Sequence, residues 1–305
     1  MVHLISPSGY CYGVKNSLNK VFSAYNKNKK RKIFFLHPLV HNSSSVLKIK
    51  EKTGAKDYSP EEKAETYYDS LLVFPAHGYT SKEKLLAYYL NASILDCTCP
   101  FLIAEKNMMK RDLDNGFTVF FLAKEGHQET LSVLDSDSRI KLIKESEAAS
   151  FDFSAFNKAK KVSLYPQSTL GLKVYEDFKK REEENYHGLL KTAPLCHECV
   201  DRWQNALKID CQLGASFLVI GDPTSSNSNE FINLLKDNFP GRKVFLIDSL
   251  KSLKEAERHL DYRFDIYLAS ATSASDEEVK KYLKQLKRVN LLNKLLLPFR
   301  GLRRK

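Results

Sequence analysis

The chain is predicted to be an α/β protein of three similar lobes with parallel sheets. Three observations point there. Short apolar runs alternate with amphipathic helical stretches along all 305 residues. The runs are mostly continuous rather than alternating, as in strands covered on both faces. Cys11, Cys99 and Cys196 lie about 90 residues apart, each directly before a helical pattern. With 43% hydrophobic and 11% aromatic residues, the chain can bury a core of the size such lobes need.

Strands are expected over His3–Ser6, Lys32–His37, Leu71–Ala76, Ser93–Asp96, Thr118–Ala123, Lys161–Tyr165, Ser216–Gly221, Val244–Asp248 and Asp265–Ser270. Between the first two lies a helix in which Val14, Leu18, Val21, Phe22 and Tyr25 share one face. Pro100 suits the first turn of a helix after Cys99, and Val200, Trp203, Leu207 and Cys211 form a stripe after Cys196. A helix start lowers a thiol's pKa and favours the anionic ligand form. The polar stretch 51–66 reads as a solvated connection or an exposed helix. The expected lobes are 1–98, 99–195 and 196–285, followed by a basic tail, 286–305.

That tail holds Lys287, Arg288, Lys294, Arg300, Arg303, Arg304 and Lys305 without an acidic residue, seven of the net charge of +11. The remainder is only mildly basic, so no nucleic-acid partner is expected. The tail reads as a solvated or partly disordered segment. Its functional alternatives are docking of an acidic electron carrier, or contact with an anionic membrane through Leu295, Leu296, Leu297 and Phe299. Neither a secretory signal nor an apolar stretch of spanning length is seen, so a cytoplasmic location is expected. Six cysteines are too sparse for a disulfide framework; metal ligation or burial as thiols is the expectation.

Candidate site residues follow strands, where α/β proteins place their sites. His37 and His41 lie in HPLVHN, His77 in AHGYTSKE, His127 and Glu129 in EGHQET, and Ser168 in YPQST. Ser225, Ser226 and Asn227 lie in GDPTSSNSNEF, and Ser273 in ASATSASDEE. Asn227 with Glu230, and Ser275 with Glu278, read as helix starts whose free N–H groups suit a phosphate. No Walker loop or G-x-G-x-x-G is present, so nothing indicates ATP or a dinucleotide. Taken singly, each histidine or serine is an ordinary hydrogen-bonded residue; their shared placement favours a site.

The segments GYCYGV, HPLVHN, FPAHGYTSK, DCTCP, GHQE, PQST, DPTSSNSN and SATSAS, in that order, resemble the 4-hydroxy-3-methylbut-2-enyl diphosphate reductases of the non-mevalonate isoprenoid pathway, the LytB family. The resemblance runs from about residue 4 to residue 285. It implies a trefoil of lobes around a 4Fe-4S cluster held by Cys11, Cys99 and Cys196, with one iron left open for the substrate's hydroxyl. It further implies reductive dehydroxylation of an allylic diphosphate to isopentenyl and dimethylallyl diphosphates, with electrons from a ferredoxin- or flavodoxin-like carrier. On that pattern Glu129 is the general acid and Ser168 orients the hydroxyl. His41, His77, Ser225, Ser226, Asn227 and Ser273 hold the diphosphate, and His127 lies beside the substrate.

The chain departs from the family pattern at Gln128, typically proline, and at Ser168, typically threonine. Pro166, Tyr12, Cys97 and the HEC run ending in Cys199 are also unusual. Two alternatives stay open on the residues: a paralogous iron-sulfur reductive dehydratase on another substrate, or a zinc-stabilised binding module for an acidic partner. The second would use Cys97, Cys99, Cys196 and Cys199 as ligands.

Overall fold

The computed structural model describes residues 1–153 and 160–300, apart from the side chains of Lys294 and residues 296–300. In chain order the elements are β1 (Val2–Leu4), α1 (Tyr12–Lys27), β2 (Ile33–Phe35), α2 (Ser43–Thr53), β3 (Lys56–Asp57), β4 (Leu71–Phe74), α3 (Ser81–Tyr89) and β5 (Ser93–Asp96). Next come α4 (Pro100–Asp114), β6 (Phe117–Ala123), α5 (Gln128–Ser136), β7 (Lys141–Lys144), β8 (Lys161–Pro166), α6 (Leu172–Asn185) and β9 (Leu189–Thr192). The chain continues through α7 (His197–Leu207), β10 (Ser216–Ile220), α8 (Ser226–Asn238), β11 (Lys243–Ile247), α9 (Leu250–Glu257), β12 (Ile266–Ser270) and α10 (Asp276–Arg300).

The strands form three four-stranded sheets, all parallel, ordered β3-β2-β4-β5, β7-β6-β8-β9 and β11-β10-β12-β1. Each sheet repeats one pattern: the first strand of the lobe pairs with the second and third, and a fourth strand flanks the third. In the last sheet β1, from the start of the chain, supplies that fourth strand, pairing Val2 with Ile266 and Leu4 with Leu268. The expected first lobe, 1–98, is corrected at this point. Its opening strand has too few residues to stand alone and completes the C-terminal sheet instead. The expected boundary at 286 falls inside α10, where Leu286 is fully buried against the C-terminal core. Of the tail's cations, Lys294, Arg300, Arg303, Arg304 and Lys305 lie outside the described side chains.

The chain divides into two compact units. One is Tyr12–His197, with the first two sheets; the other joins Met1–Cys11 to the chain from Glu198 onward and holds the third. The central strands are buried throughout, as in Leu71–Phe74 and Ser216–Ile220, because helices cover both faces. Three strands were not expected from sequence: β3, β7 and β9. They are edge strands with exposed Lys56, Asp57, Lys141 and Lys191, the polar composition that guards open edges. The stretch 51–66 accordingly holds the end of α2, then β3, then the start of a 3-10 helix, Ala64–Tyr67, whose Tyr67 is buried. In α7 the buried face is Cys199, Arg202, Trp203 and Ala206 rather than the Val200–Leu207 stripe. Cys211 lies beyond the helix.

Candidate active site

Each of the three cysteines leaves the fourth strand of a sheet and immediately precedes a helix: Cys11 after β1 and before α1, Cys99 after β5 and before α4, Cys196 after β9 and before α7. Cys99 is the N-cap of α4, with Pro100 in the first turn. In its own unit Cys11 is placed by its N–H, which donates to the Thr272 carbonyl (2.9 Å). Buried Arg202 donates from Nη2 to the Gly9 carbonyl (2.8 Å), while Nη1 is paired with Glu198 (3.0 Å). Gly9 has φ +81°, and a Cβ there would overlap Asp276 Oδ1 at 1.8 Å, so only glycine admits this approach.

In the other unit the residues that open the three helices pack together. The Tyr12 ring meets Phe101 edge-on (5.8 Å), and Phe101 meets His197 (4.7 Å). Tyr12 follows Cys11, His197 follows Cys196, and Phe101 stands two residues after Cys99. Each of the three helices thus has a cysteine directly before its first residue, a position that favours the anionic thiolate. Among the described residues no three His, Cys, Asp or Glu side chains are grouped as for a single metal ion. The zinc alternative needs Cys97 as a thiolate. Its Sγ instead donates to the Ser17 carbonyl (3.7 Å), and burial pushes the thiol up to about 12, the nearby Asp96 adding to the shift against the opposing Lys20.

The three histidine loops converge. His41 and His77 stack at 4.2 Å between ring centroids, and His127 lies 5.8 Å from each. Each stands at a helix start: His41 precedes Asn42, whose side chain caps α2 by accepting from Ser45 N (2.8 Å); His77 lies just before Thr80, the cap of α3. His127 itself caps α5, its Nδ1 accepting from Glu129 N (3.2 Å), so the neutral ring carries its proton on Nε2. Burial, then the neighbouring His41 and His127, hold His77 well below the usual imidazole range; burial, His41 and Lys124 lower His127 to about 4. His77 Nε2 is buried without a hydrogen-bond partner. Such an atom at a helix start is poised for an anion's oxygen.

Glu129, in the first turn of α5, is 2% exposed. Its Oε2 accepts from Ser168 Oγ (2.6 Å) and its Oε1 from Ser168 N (2.7 Å). Burial raises the carboxyl above its usual range, against the opposing pull of Ser168 and Lys106. Glu105 is a second carboxyl facing this place; burial, then Glu129 and Cys196, push it well above the usual range. Sequence reading missed it, although a visible signal existed: Glu105 shares the face of α4 that buries Leu102, Met109 and Asp112.

In the C-terminal unit, Ser225 is the cap of α8, its Oγ accepting from Ser228 N (3.4 Å). The expected helix start at Asn227 is therefore corrected: the cap lies two residues earlier, and Ser226 opens the helix. Asn227 is buried, donating from Nδ2 to Thr272 Oγ1 (2.9 Å), and its Oδ1 has no partner. Ser273 is buried in the loop after β12, strand neighbour of β10. The other expected helix start holds: Ser275 and Glu278 form a reciprocal cap on α10 (2.9 and 3.0 Å). Among the described residues no helix is long and apolar enough to cross a membrane.

The profile of the LytB protein family matches residues 2–287. A 4-hydroxy-3-methylbut-2-enyl diphosphate reductase of Buchnera aphidicola subsp. Schizaphis graminum is 28% identical, the match covering 95% of this chain and 91% of the relative. One of Petrotoga mobilis is 24% identical over 94% and 98%. The structure of the E-1-hydroxy-2-methyl-but-2-enyl-4-diphosphate reductase from Plasmodium falciparum is similar with a TM-score of 0.79, at 20% identity, covering 94% of this chain and 87% of that one. The match to the family profile spans all three sheets and every candidate residue above, and by it this chain belongs to the LytB family.

Proposed function

We propose that this chain is a cytoplasmic 4-hydroxy-3-methylbut-2-enyl diphosphate reductase. The observation that carries the reading is the shared first turn of α5. There His127, stacked with His41 and His77, stands two residues from the buried Glu129 that Ser168 grips through both oxygens. An anion seat and a proton donor thus begin on one helix.

Cys11, Cys99 and Cys196 are the proposed ligands of a 4Fe-4S cluster. When bound, it would supply two electrons singly, from a ferredoxin- or flavodoxin-like carrier, and polarise the allylic C–O bond. The balance is two electrons and two protons: the C–O bond breaks, the hydroxyl leaves as water with one proton, and the other forms a new C–H bond. Glu129, whose carboxyl burial raises above its usual range, donates protons, and Ser168 orients the hydroxyl toward it. His41, His77 and His127, with Ser225, Ser226, Asn227 and Ser273, hold the diphosphate. Burial lowers the pKa of His77 and His127, and the N–H groups of the helix starts add to the balance of the anion's charge.

The test is anaerobic purification with iron and sulfide analysis, followed by turnover of the allylic diphosphate with a reduced carrier. Iron and sulfide with formation of both isopentenyl and dimethylallyl diphosphates is the expected result. A bound cluster that ignores this substrate would point to a paralog; no cluster after anaerobic reconstitution would remove the reading.

A further inference from the structure

The loop that carries His77 is held from behind by one face of α5. Gln128 Nε2 donates to the Gly78 carbonyl (3.3 Å), Ser132 Oγ to the Tyr79 carbonyl (3.0 Å), and Ser81 N donates to Asp135 Oδ2 (2.6 Å). Residues 128, 132 and 135 stand at i, i+4 and i+7, so they form a single polar stripe. The approach is close: Gly78 has φ +83°, and a Cβ there would meet Ser132 Oγ at 2.2 Å. Behind the stripe, Glu83 is a hub. It caps α3 reciprocally with Thr80 (2.6 Å), takes the His37 ring on Oε1 (2.5 Å), and accepts from Gln128 Nε2 (3.4 Å). Lys106, the cation that faces Glu129, donates to Ser132 Oγ (2.5 Å). A cavity of about 430 Å3 lies along this seam, lined by Tyr79, Ser81, Lys106, Ser132 and Asp135 but by none of the three site histidines.

His127 caps the same helix whose stripe holds the His77 loop. Any slip of loop against helix therefore moves His77 relative to His127. We propose that Gln128, Ser132 and Asp135 are positioning residues that lock the His77 loop to α5 and thereby set the affinity for the diphosphate. The inference rests on the histidine reading above. Gln128 occupies the first helical position, where proline is favoured and where the family pattern has it. Glutamine gives up that preference for a side-chain amide that reaches two partners in the neighbouring loop and helix.

The substitution Gln128→Pro separates positioning from stability, because proline suits the first helical position and the side-chain amide is lost without loss of the helix start. Inorganic diphosphate is titrated calorimetrically into the anaerobically purified full chain, with thermal melting and histidine ring NMR on the same samples. Gln128→Pro is expected to weaken binding about fivefold, and Gln128→Pro with Ser132→Ala about tenfold or more, as the loss of these hydrogen bonds implies. Tm in the single variant stays at or above the wild-type value, the His77 ring resonances shift, and KM for the substrate rises with little change in kcat. Binding by the wild type that Gln128→Pro leaves unchanged, with unshifted rings, overturns the positioning role alone. No binding of inorganic diphosphate by the wild type overturns the histidine reading and this inference together.

Discussion

Ser168 holds Glu129 at both carboxyl oxygens, its hydroxyl 2.6 Å from Oε2 and its N–H 2.7 Å from Oε1. These bonds favour the ionised carboxylate, while burial favours the acid, and burial wins. Glu129 thereby holds its proton to a higher pH than an ordinary carboxyl.

Turnover should accordingly fall on the alkaline side as Glu129 ionises. Ser168→Ala removes one of the bonds that stabilise the carboxylate, so the alkaline limb of kcat is expected to move to higher pH while the maximum drops. Glu129→Gln should keep the cluster and lose about a hundredfold or more of the rate. Single-turnover rates across pH check both, and an unmoved limb in Ser168→Ala would detach that serine from the acid.

The site histidines make a stability prediction of definite sign. His77 and His127 are neutral in the fold, with pKa values below that of the unfolded chain, His127 at about 4. Between pH 6.5 and about 4 the unfolded chain binds more protons, so their contribution is present above the unfolded value and lost as pH falls. Melting temperatures measured across this window should decline on acidification. The slope should flatten in His127→Asn, which keeps a capping side chain but does not titrate.

Gly78→Ala should be among the costlier single-methyl additions. The left-handed backbone alone costs about 1–2 kcal/mol for a side chain, and the added carbon overlaps Ser132. A lowered Tm is expected, partly restored by Ser132→Gly. Equal melting of Gly78→Ala and wild type would contradict the close approach.

Iron analysis tests the proposed ligand set. Cys97 is fully buried with its thiol held up to about 12. Cys97→Ala and Cys199→Ser should retain the iron content of the wild type, whereas Cys11→Ala, Cys99→Ala or Cys196→Ala should each lose most of it. Iron lost in Cys199→Ser with iron retained in Cys11→Ala would mean the ligand set is wrong.

By itself the sequence determined the strand-helix alternation, the central strands and the helix starts at the cysteines, because each is a local matter. A strand covered on both faces must be a continuous apolar run, and Cys-Pro ahead of an amphipathic stretch reads as a helix start without outside help. What the neighbouring chain supplies was not legible. The edge strands β3, β7 and β9 are polar and owe their form to a paired partner. The three residues of β1 gain a sheet only from β12, more than 260 residues away. The inward face of α4 offered a signal for Glu105, but its place near Glu129, the stacking of His41, His77 and His127, and the grip of Gln128, Ser132 and Asp135 on the His77 loop were decided by tertiary structure. Their distances and protonation arise from burial and from side chains brought together out of separate segments, and no local pattern records either.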